Sequence, residues 1–232
     1  MTKHRLPYAL TATGVVTLLG ALALVFFFAP QDAVQGPVQR IFYVHVSAAI
    51  AGFACFGVVV VASVLHLVRT GAASDRLARA AAQVGLVMLT VNISMGIVWA
   101  KPIWGWDPSQ TWDARFTTTV VLWLIYAGYL LVRKFAAPGR QASRLAAVVG
   151  IFGFIDVPIV YFSVQWWRTL HPSLRAGNGQ PALPAAMLLT FGVTAVAMLI
   201  LTAALVSVRY SIEQQAEEQE SRATNASLEL AR

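Results

Sequence analysis

Six long apolar blocks determine what this chain can fold into. An α-helix needs about 20 mainly apolar residues to cross a hydrocarbon core of about 30 Å. Blocks long enough to do so occur at residues 8–29, 43–68, 81–100, 116–132, 145–166 and 183–208. Only 12% of the 232 residues are charged, about half the share found in soluble domains. The sequence therefore predicts an all-α, polytopic membrane protein with six transmembrane helices.

The first block follows Lys3 and Arg5, as the apolar part of a signal peptide would. It is longer than that part usually is, roughly 7–15 residues, and no small-residue cleavage motif follows it. We therefore expect it to be retained as a transmembrane helix. The single cysteine, Cys55, lies inside the second block and is expected to be a packing residue. Because there is no Cys-x-x-Cys-His motif, the chain is not itself a c-type cytochrome.

The basic residues predict the orientation of the helices, since cytoplasmic loops are enriched in Lys and Arg. One set of connections carries Lys3, Arg5, Arg69, Arg76, Arg79, Arg133, Lys134, Arg140, Arg144 and Arg209, and the other carries Arg40, Lys101, Arg115, Arg168 and Arg175. Both termini are therefore predicted to be cytoplasmic, and segments 30–42, 101–115 and 167–182 to face outward. We expect a six-helix domain, 1–210, and a polar cytoplasmic tail, 211–232, that is a frayed helix or disordered.

A tryptophan-rich segment follows the third block at the predicted outer face. It contains four of the seven tryptophans of the chain: Trp99, Trp104, Trp106 and Trp112. Tryptophan is common at membrane interfaces, but the Gly, Pro, Asp and Arg between these tryptophans favour a binding surface. Asp107-Pro108 is typical of a helix start, so we expect a short surface helix. Its aromatic faces suit a flat apolar ligand whose carboxylates pair with Lys101 or Arg115.

Two histidines are predicted to reach the same outer face. His45 begins the second block and His171 follows the fifth. His66 is 21 positions after His45, which is roughly 31 Å along a helix, so these two cannot share a metal. Imidazole is a common axial ligand of haem iron, and His45 and His171 could hold one haem between them. Zinc would need a third or fourth ligand. Asp107 or Asp113 could supply one, so metal-assisted hydrolysis stays open.

Three stretches carry a resemblance to the haem-handling proteins of cytochrome c assembly. They are residues 40–46, 99–117 and 164–171, and the layout of helices extends the resemblance over residues 8–208. The sequence most closely resembles the haem exporter protein C family, also called cytochrome c maturation protein C. It departs from that family at Trp106-Asp107-Pro108, which resembles the related cytochrome c synthetase branch.

The resemblance implies a haem b held transiently and non-covalently at the outer membrane face, with His45 and His171 as axial ligands of its iron. It also implies which residues contact the haem and dock the haem chaperone, cytochrome c maturation protein E: Trp104, Trp106, Trp112 and Asp113. An ATP-binding transporter pair of the same system would drive release. The chain has no G-x-x-x-x-G-K loop, so ATP-driven steps belong to partners. The implied location is the bacterial cytoplasmic (inner) membrane.

Three hypotheses of function follow. The first is a non-catalytic platform that presents haem to the chaperone and could assist covalent attachment there. The second is a component of a cytochrome c synthetase, and the third is a transmembrane haem conduit. A conduit should carry polar residues at several depths, whereas the interior offers little beyond Asn92 and Asp156. We expect Pro158 to kink the fifth helix and Asn92 or freed backbone groups to satisfy the costly Asp156. The alternative is that Asp156 moves protons or substrate.

Overall fold

The structure, a computed structural model, describes residues 5–69, 71–105, 112–135, 140–167, 171 and 183–230. The α-helices in these residues are α1 (Arg5–Phe27), α2 (Ile41–Arg69), α3 (Ala72–Trp104), α4 (Ala114–Phe135), α5 (Arg140–Gly153), α6 (Asp156–Trp166) and α7 (Ala185–Leu230). Six helical stretches of this described part are long and apolar enough to cross a membrane, and α5 and α6 together form one of them. The prediction of an all-α membrane protein with six transmembrane helices is therefore confirmed.

Helices α2 and α3 form the centre of the bundle, with α1 and α7 packed on one side and α4, α5 and α6 on the other. Small buried residues such as Ala51 and Ala81 allow α2 and α3 to approach closely. Midway along the bundle, the rings of Phe56 and Tyr126 stack with centroids 3.6 Å apart. Leu89 and Leu122 complete a fully buried layer with these two rings. We call Phe56, Leu89, Leu122 and Tyr126 the central layer.

The fifth span is broken between α5 and α6, where Pro158 predicted a kink. Proline has no amide hydrogen to donate to the residue four positions earlier, which is Phe154. The amide of Val157 donates to the Phe154 carbonyl instead, at 3.0 Å, so the helix tightens and restarts at Asp156. The Oδ2 atom of Asp156 is buried and has no hydrogen-bond partner. The expectation that Asn92 satisfies Asp156 is therefore wrong, because the Asn92 side chain bonds to His45 instead.

Charged residues join α3, α4 and α7 at one end of the bundle, which we call the basic end. Arg133 donates to both carboxylate oxygens of Asp75. Arg79 and Arg209 contact Glu213 at 3.1 Å and 2.9 Å. Arg133, Asp75 and Glu213 are largely buried, whereas Arg79 and Arg209 are partly exposed. This network fixes the ends of three helices relative to one another.

The polar tail continues α7 as a helix through Leu230. Its first turns contact α3, since Glu213 belongs to the network described above and Glu217 pairs with Arg76 at 3.2 Å. The alternative that this tail is disordered is wrong for the described residues. The sequence pattern missed this contact with α3 because Arg79 and Arg76, which pair with Glu213 and Glu217, lie more than a hundred positions earlier in the chain.

Candidate functional site

A cavity lies at the end of the bundle opposite the basic end, which we call the tryptophan end. It holds about 1000 Å³ of empty space, which includes open solvent at its opening. Helices α2, α3, α4 and α6 build its wall, which includes His45, Ala49, Phe53, Asn92, Ile93, Gly96, Ile97, Ala100, Lys101, Trp104, Trp112, Arg115, Phe116, Thr119, Val160 and His171. The wall is mainly apolar, and its polar groups come from a few residues.

The two predicted iron ligands, His45 and His171, both line this cavity. His45 lies in the first turns of α2, and His171 follows the end of α6. The fold therefore brings two imidazoles from distant parts of the chain to one apolar space. Their binding to iron stays a prediction.

Asn92 of α3 holds His45 through two hydrogen bonds. Nδ1 of His45 lies 2.8 Å from the main-chain oxygen of Asn92, and the Asn92 side-chain amide donates to the main-chain oxygen of His45 at 3.0 Å. A carbonyl oxygen can only accept, so we assign the imidazole proton to Nδ1. The Asn92 amide also lies 3.2 Å from Nδ1, but a protonated nitrogen cannot accept from it. Nε2 then carries the lone pair that a metal requires.

Gly96 leaves the space that the His45 ring occupies. A Cβ atom at position 96 would lie 2.9 Å from Cε1 and 3.3 Å from Nδ1 of His45, closer than non-bonded atoms pack. On another side of the ring, Trp99 lies edge-on to His45 with ring centroids 5.8 Å apart. Trp99 is fixed in turn, because its Nε1 donates to the side-chain oxygen of Gln35 at 2.9 Å. The orientation of His45 is therefore set by three residues of α3.

Asp113 holds His171 and also caps α4. Its Oδ2 lies 2.7 Å from Nδ1 of His171, and its Oδ1 accepts from the amide of Phe116 at 2.9 Å, as an N-cap residue does. Burial opposes ionisation of Asp113, but the hydrogen bonds outweigh it, and the pKa of this carboxyl lies below its usual value. A carboxylate can only accept, so His171 also carries a proton on Nδ1. Asp113 lies behind His171 and is not among the cavity-lining residues.

Two of the predicted tryptophans line the cavity. The ring of Trp104 lies beside His171, with centroids 5.8 Å apart. Trp112 is 61% exposed and packs edge-on against Phe116 at 4.8 Å. Trp106 lies outside the described residues, as do Asp107-Pro108 and the short surface helix expected there. The structure therefore places Trp104 and Trp112 where a flat ligand of the cavity would contact them.

Two cationic residues, Lys101 and Arg115, also line the cavity. Nη1 of Arg115 donates to the main-chain oxygens of Val160 and Tyr161 at 2.9 Å and 3.2 Å. These bonds tie the first turn of α4 to α6 across the cavity. A guanidinium has five N–H donors, so Arg115 can hold α6 and still bind a ligand carboxylate with its other nitrogen atoms.

Of the two carboxylates considered as zinc ligands from the sequence, Asp113 bonds to His171 and Asp107 lies outside the described residues. Over the described ranges, no three His, Cys, Asp or Glu side chains come close enough to hold a metal ion, which a zinc site would need. Both imidazoles have Nδ1 engaged, so Nε2 is the atom through which each ring would bind a haem iron.

The sequence reasoning missed Asn92 and Gly96 as supports of His45. It used Asn92 only as a partner for Asp156. The available indication was their spacing of four within one apolar block, which places both on one face of a helix. That spacing does not say which neighbouring helix this face contacts, so His45 could not have been named from it.

Comparison with known proteins shows the family. The sequence profile of the family described as "Heme exporter protein C" matches residues 1–225. A protein of that name from Bradyrhizobium diazoefficiens is 33% identical over 217 residues, which are 91% of this chain and 80% of that protein. Proteins of the same name from Escherichia coli and Rhodobacter capsulatus are 35% and 34% identical over 72% of this chain, and the matches cover 66% and 68% of their lengths. The chain thus belongs to the haem exporter protein C family.

Proposed function

We propose that this chain binds haem at the outer face of the cytoplasmic membrane and presents it to a haem chaperone during cytochrome c maturation. One observation carries the proposal: imidazoles from α2 and from the segment after α6 line one apolar cavity, and each has its Nδ1 engaged. Such bonds are typical of metal-bound histidines, because they fix the tautomer and the ring orientation. The names of the relatives support haem as the ligand.

In this proposal His45 and His171 bind the iron of a non-covalently held haem b through their Nε2 atoms. The apolar wall, with Trp104 and Trp112, contacts the macrocycle. Lys101 and Arg115 pair with the haem carboxylates, and Asp113 acts by holding His171. The haem is cargo, and the chain itself performs no covalent step. Chaperone docking would use Trp112, whose large exposed surface is available to a partner.

We place the basic end in the cytoplasm and the tryptophan end outside. The described basic end carries Arg5, Arg69, Arg76, Arg79, Arg133, Lys134, Arg140, Arg144 and Arg209, and the described tryptophan end carries Arg40, Lys101 and Arg115. This imbalance follows the usual excess of Lys and Arg in cytoplasmic loops. Both termini would then be cytoplasmic, where the end of α7 could meet ATP-binding transporter subunits that drive release.

A platform is favoured over a transmembrane conduit because the cavity does not extend through the bundle. Its deepest lining residues include Phe53 and Thr119. The next turn of α2 and of α4 brings in the central layer, where Phe56 stacks on Tyr126 and every member is fully buried. A porphyrin could not cross that layer without separating α2 from α4. The synthetase hypothesis keeps only the Trp-Asp-Pro sequence in its favour, at residues outside the described ranges.

The test is the optical spectrum of the protein purified from a haem-replete host. We compare wild type with His45→Ala, His171→Ala and, as a control, His66→Ala. His66 lies at the basic end, where it bonds to Gly71 and Ser143, so its loss removes an imidazole remote from the cavity. The proposal expects a Soret band that His45→Ala and His171→Ala each weaken or shift and that His66→Ala leaves unchanged. Wild-type protein that carries no haem, or the same Soret band in all three variants, would contradict the proposal.

Presentation to the chaperone needs a separate measurement. A thiol at position 112, introduced as Trp112→Cys, is expected to cross-link to the chaperone in membranes when haem is present. A cysteine at Val34, which lies in the segment between α1 and α2 at the same end and is 94% exposed, provides the matched control. Equal cross-linking from both positions would argue against docking at Trp112.

A further inference from the structure

Helices α3 and α4 are joined by a hydrogen bond below the cavity. The indole Nε1 of Trp123 donates to Oγ1 of Thr90 at 2.8 Å. The two helices run in opposite directions, so each turn towards the tryptophan end on α3 faces an earlier turn on α4. Counting turns from this bond, Ile97 of α3 lies at about the level of Phe116 of α4, and both line the cavity.

Above that bond, the cavity reaches the seam between α3 and α4. Ile97, Phe116, Lys101 and Trp112, from the two sides of this seam, all line the cavity. Ile97 is 38% exposed and Trp112 is 61% exposed, so the cavity wall and the outer surface of the bundle meet at these residues. We call this gap, bounded by Ile97, Lys101, Trp112 and Phe116, the α3–α4 mouth. Its lower edge is the Thr90–Trp123 bond.

The mouth faces the part of the membrane that is apolar. Ile97 lies seven positions before Trp104 on α3, which is about 10 Å closer to the middle of the bilayer. A hydrocarbon core is about 30 Å thick, so the mouth opens into its outer half. Towards the basic end, the central layer closes the cavity with fully buried side chains. A ligand that reaches the cavity through the mouth therefore comes from the outer leaflet.

We propose that haem enters this site sideways from the outer leaflet, through the α3–α4 mouth. The inference rests on the proposed function, since it concerns the route of the same ligand. Haem is a flat apolar ring with two carboxylates on one edge. In a leaflet the ring lies among the acyl chains and the carboxylates lie among the headgroups. The cavity presents the same polarity along α3, with Ile97 deeper and Lys101 one helical turn nearer the tryptophan end. Haem can therefore slide between α3 and α4 without turning over.

The test closes the mouth reversibly. Cys55, the single cysteine, is removed as Cys55→Ala, and Ile97→Cys with Phe116→Cys places one thiol on each side. A short bifunctional thiosulfonate links the two thiols, and a phosphine reductant releases them. The control pair, Val87→Cys with Ala127→Cys, links the same two helices one turn below the Thr90–Trp123 bond. Each protein is placed in phosphatidylcholine vesicles and mixed with vesicles of the same lipid that carry haem.

We expect linking at the mouth to lower the initial rate of Soret appearance about tenfold or more, and reduction to restore that rate. Linking the control pair should leave the rate unchanged. Protein linked after loading should keep its Soret band, which shows that the link blocks the route and leaves the site intact. Linked and unlinked protein loading at equal rates would overturn the inference while leaving haem binding by His45 and His171 standing. Absence of haem binding before linking would overturn the proposed function and this inference with it.

Discussion

Replacing Gly96 by alanine tests whether the support of His45 determines how tightly haem is held. The added Cβ would lie 2.9 Å from Cε1 of His45. Carbon atoms pack at about 3.5 Å or more, so the ring must move by roughly 0.6 Å. The variant therefore changes the position of one ligand and removes no donor atom.

The size of the effect follows from the hydrogen bond that the movement disturbs. Nδ1 of His45 lies 2.8 Å from the Asn92 carbonyl oxygen. A shift of roughly 0.6 Å can lengthen that distance beyond about 3.2 Å, the upper end for N–H···O bonds. Loss of such a partner typically costs 10- to 100-fold in metal affinity. We expect Gly96→Ala to weaken haem binding by about that factor, or roughly 1.4 to 2.7 kcal/mol.

The assay is the rate at which haem leaves the loaded protein, in lipid, for an excess of apomyoglobin. Gly192→Ala is the matched control, since it makes the same chemical change in α7 at a position with no atom within 4 Å of the new Cβ. It corrects for the general effect of replacing a helical glycine, which is about 1 kcal/mol in helix propensity. Release from Gly96→Ala within twofold of the control would show that the orientation of His45 is not what holds the haem.

Two further predictions concern other residues. Asp113→Asn keeps a good N-cap but removes the charge behind His171, so haem release should speed up by about tenfold while the melting temperature changes little. The pKa of Asp113 is lowered. The effect of the ionised carboxylate on haem release is therefore complete above the ordinary pKa of an aspartate, about 3.9, and is lost only at lower pH. The difference in release between wild type and variant should thus be constant from about pH 7 to 5 and shrink below about pH 4. At the basic end, Arg133 and Asp75 are 6% and 15% exposed. Arg133→Leu should lower the free energy of unfolding by about 3–5 kcal/mol, because it leaves the buried Asp75 carboxylate without its partner. The double variant with Asp75→Leu should recover most of this stability, and an equal loss in the single and double variants would contradict the pairing.

The sequence was sufficient for the fold because the membrane restricts the choices. Six apolar blocks can cross a bilayer only as helices, and each was confirmed near its predicted bounds. The end of α7 was harder, because the pattern after Ser211 is polar and its ordering depends on Arg76 and Arg79 of a distant helix. The break before Asp156 could be predicted because Pro158 acts locally on its own helix.

The sequence brought the two histidines of the candidate site together but did not predict the residues that support them. His45 and His171 could be chosen because topology alone assigns them to one face. Their partners depend on distances between helices, which composition and spacing do not contain. Asn92 was noticed as a polar residue in an apolar block, but only the packing of α2 on α3 shows that it faces His45. Asp113 is a similar case. The family resemblance makes it a residue that contacts haem, whereas the structure places it behind His171, with its Oδ2 beside Nδ1 of that ring.

Under both proposals, two adjacent faces of helix α3 would have different roles, one holding haem and the other admitting it. Asn92 and Gly96 face α2 and fix His45, while Ile93 and Ile97, one position further on, are rotated by about 100° and line the seam with α4. The two faces are rigidly linked, yet they should control different rates. Closing the mouth slows entry and leaves the ligands in place, whereas Gly96→Ala displaces a ligand and leaves the mouth open. Entry and release rates measured on both proteins should therefore change independently, and a common change in both rates would mean that α3 moves as one gate.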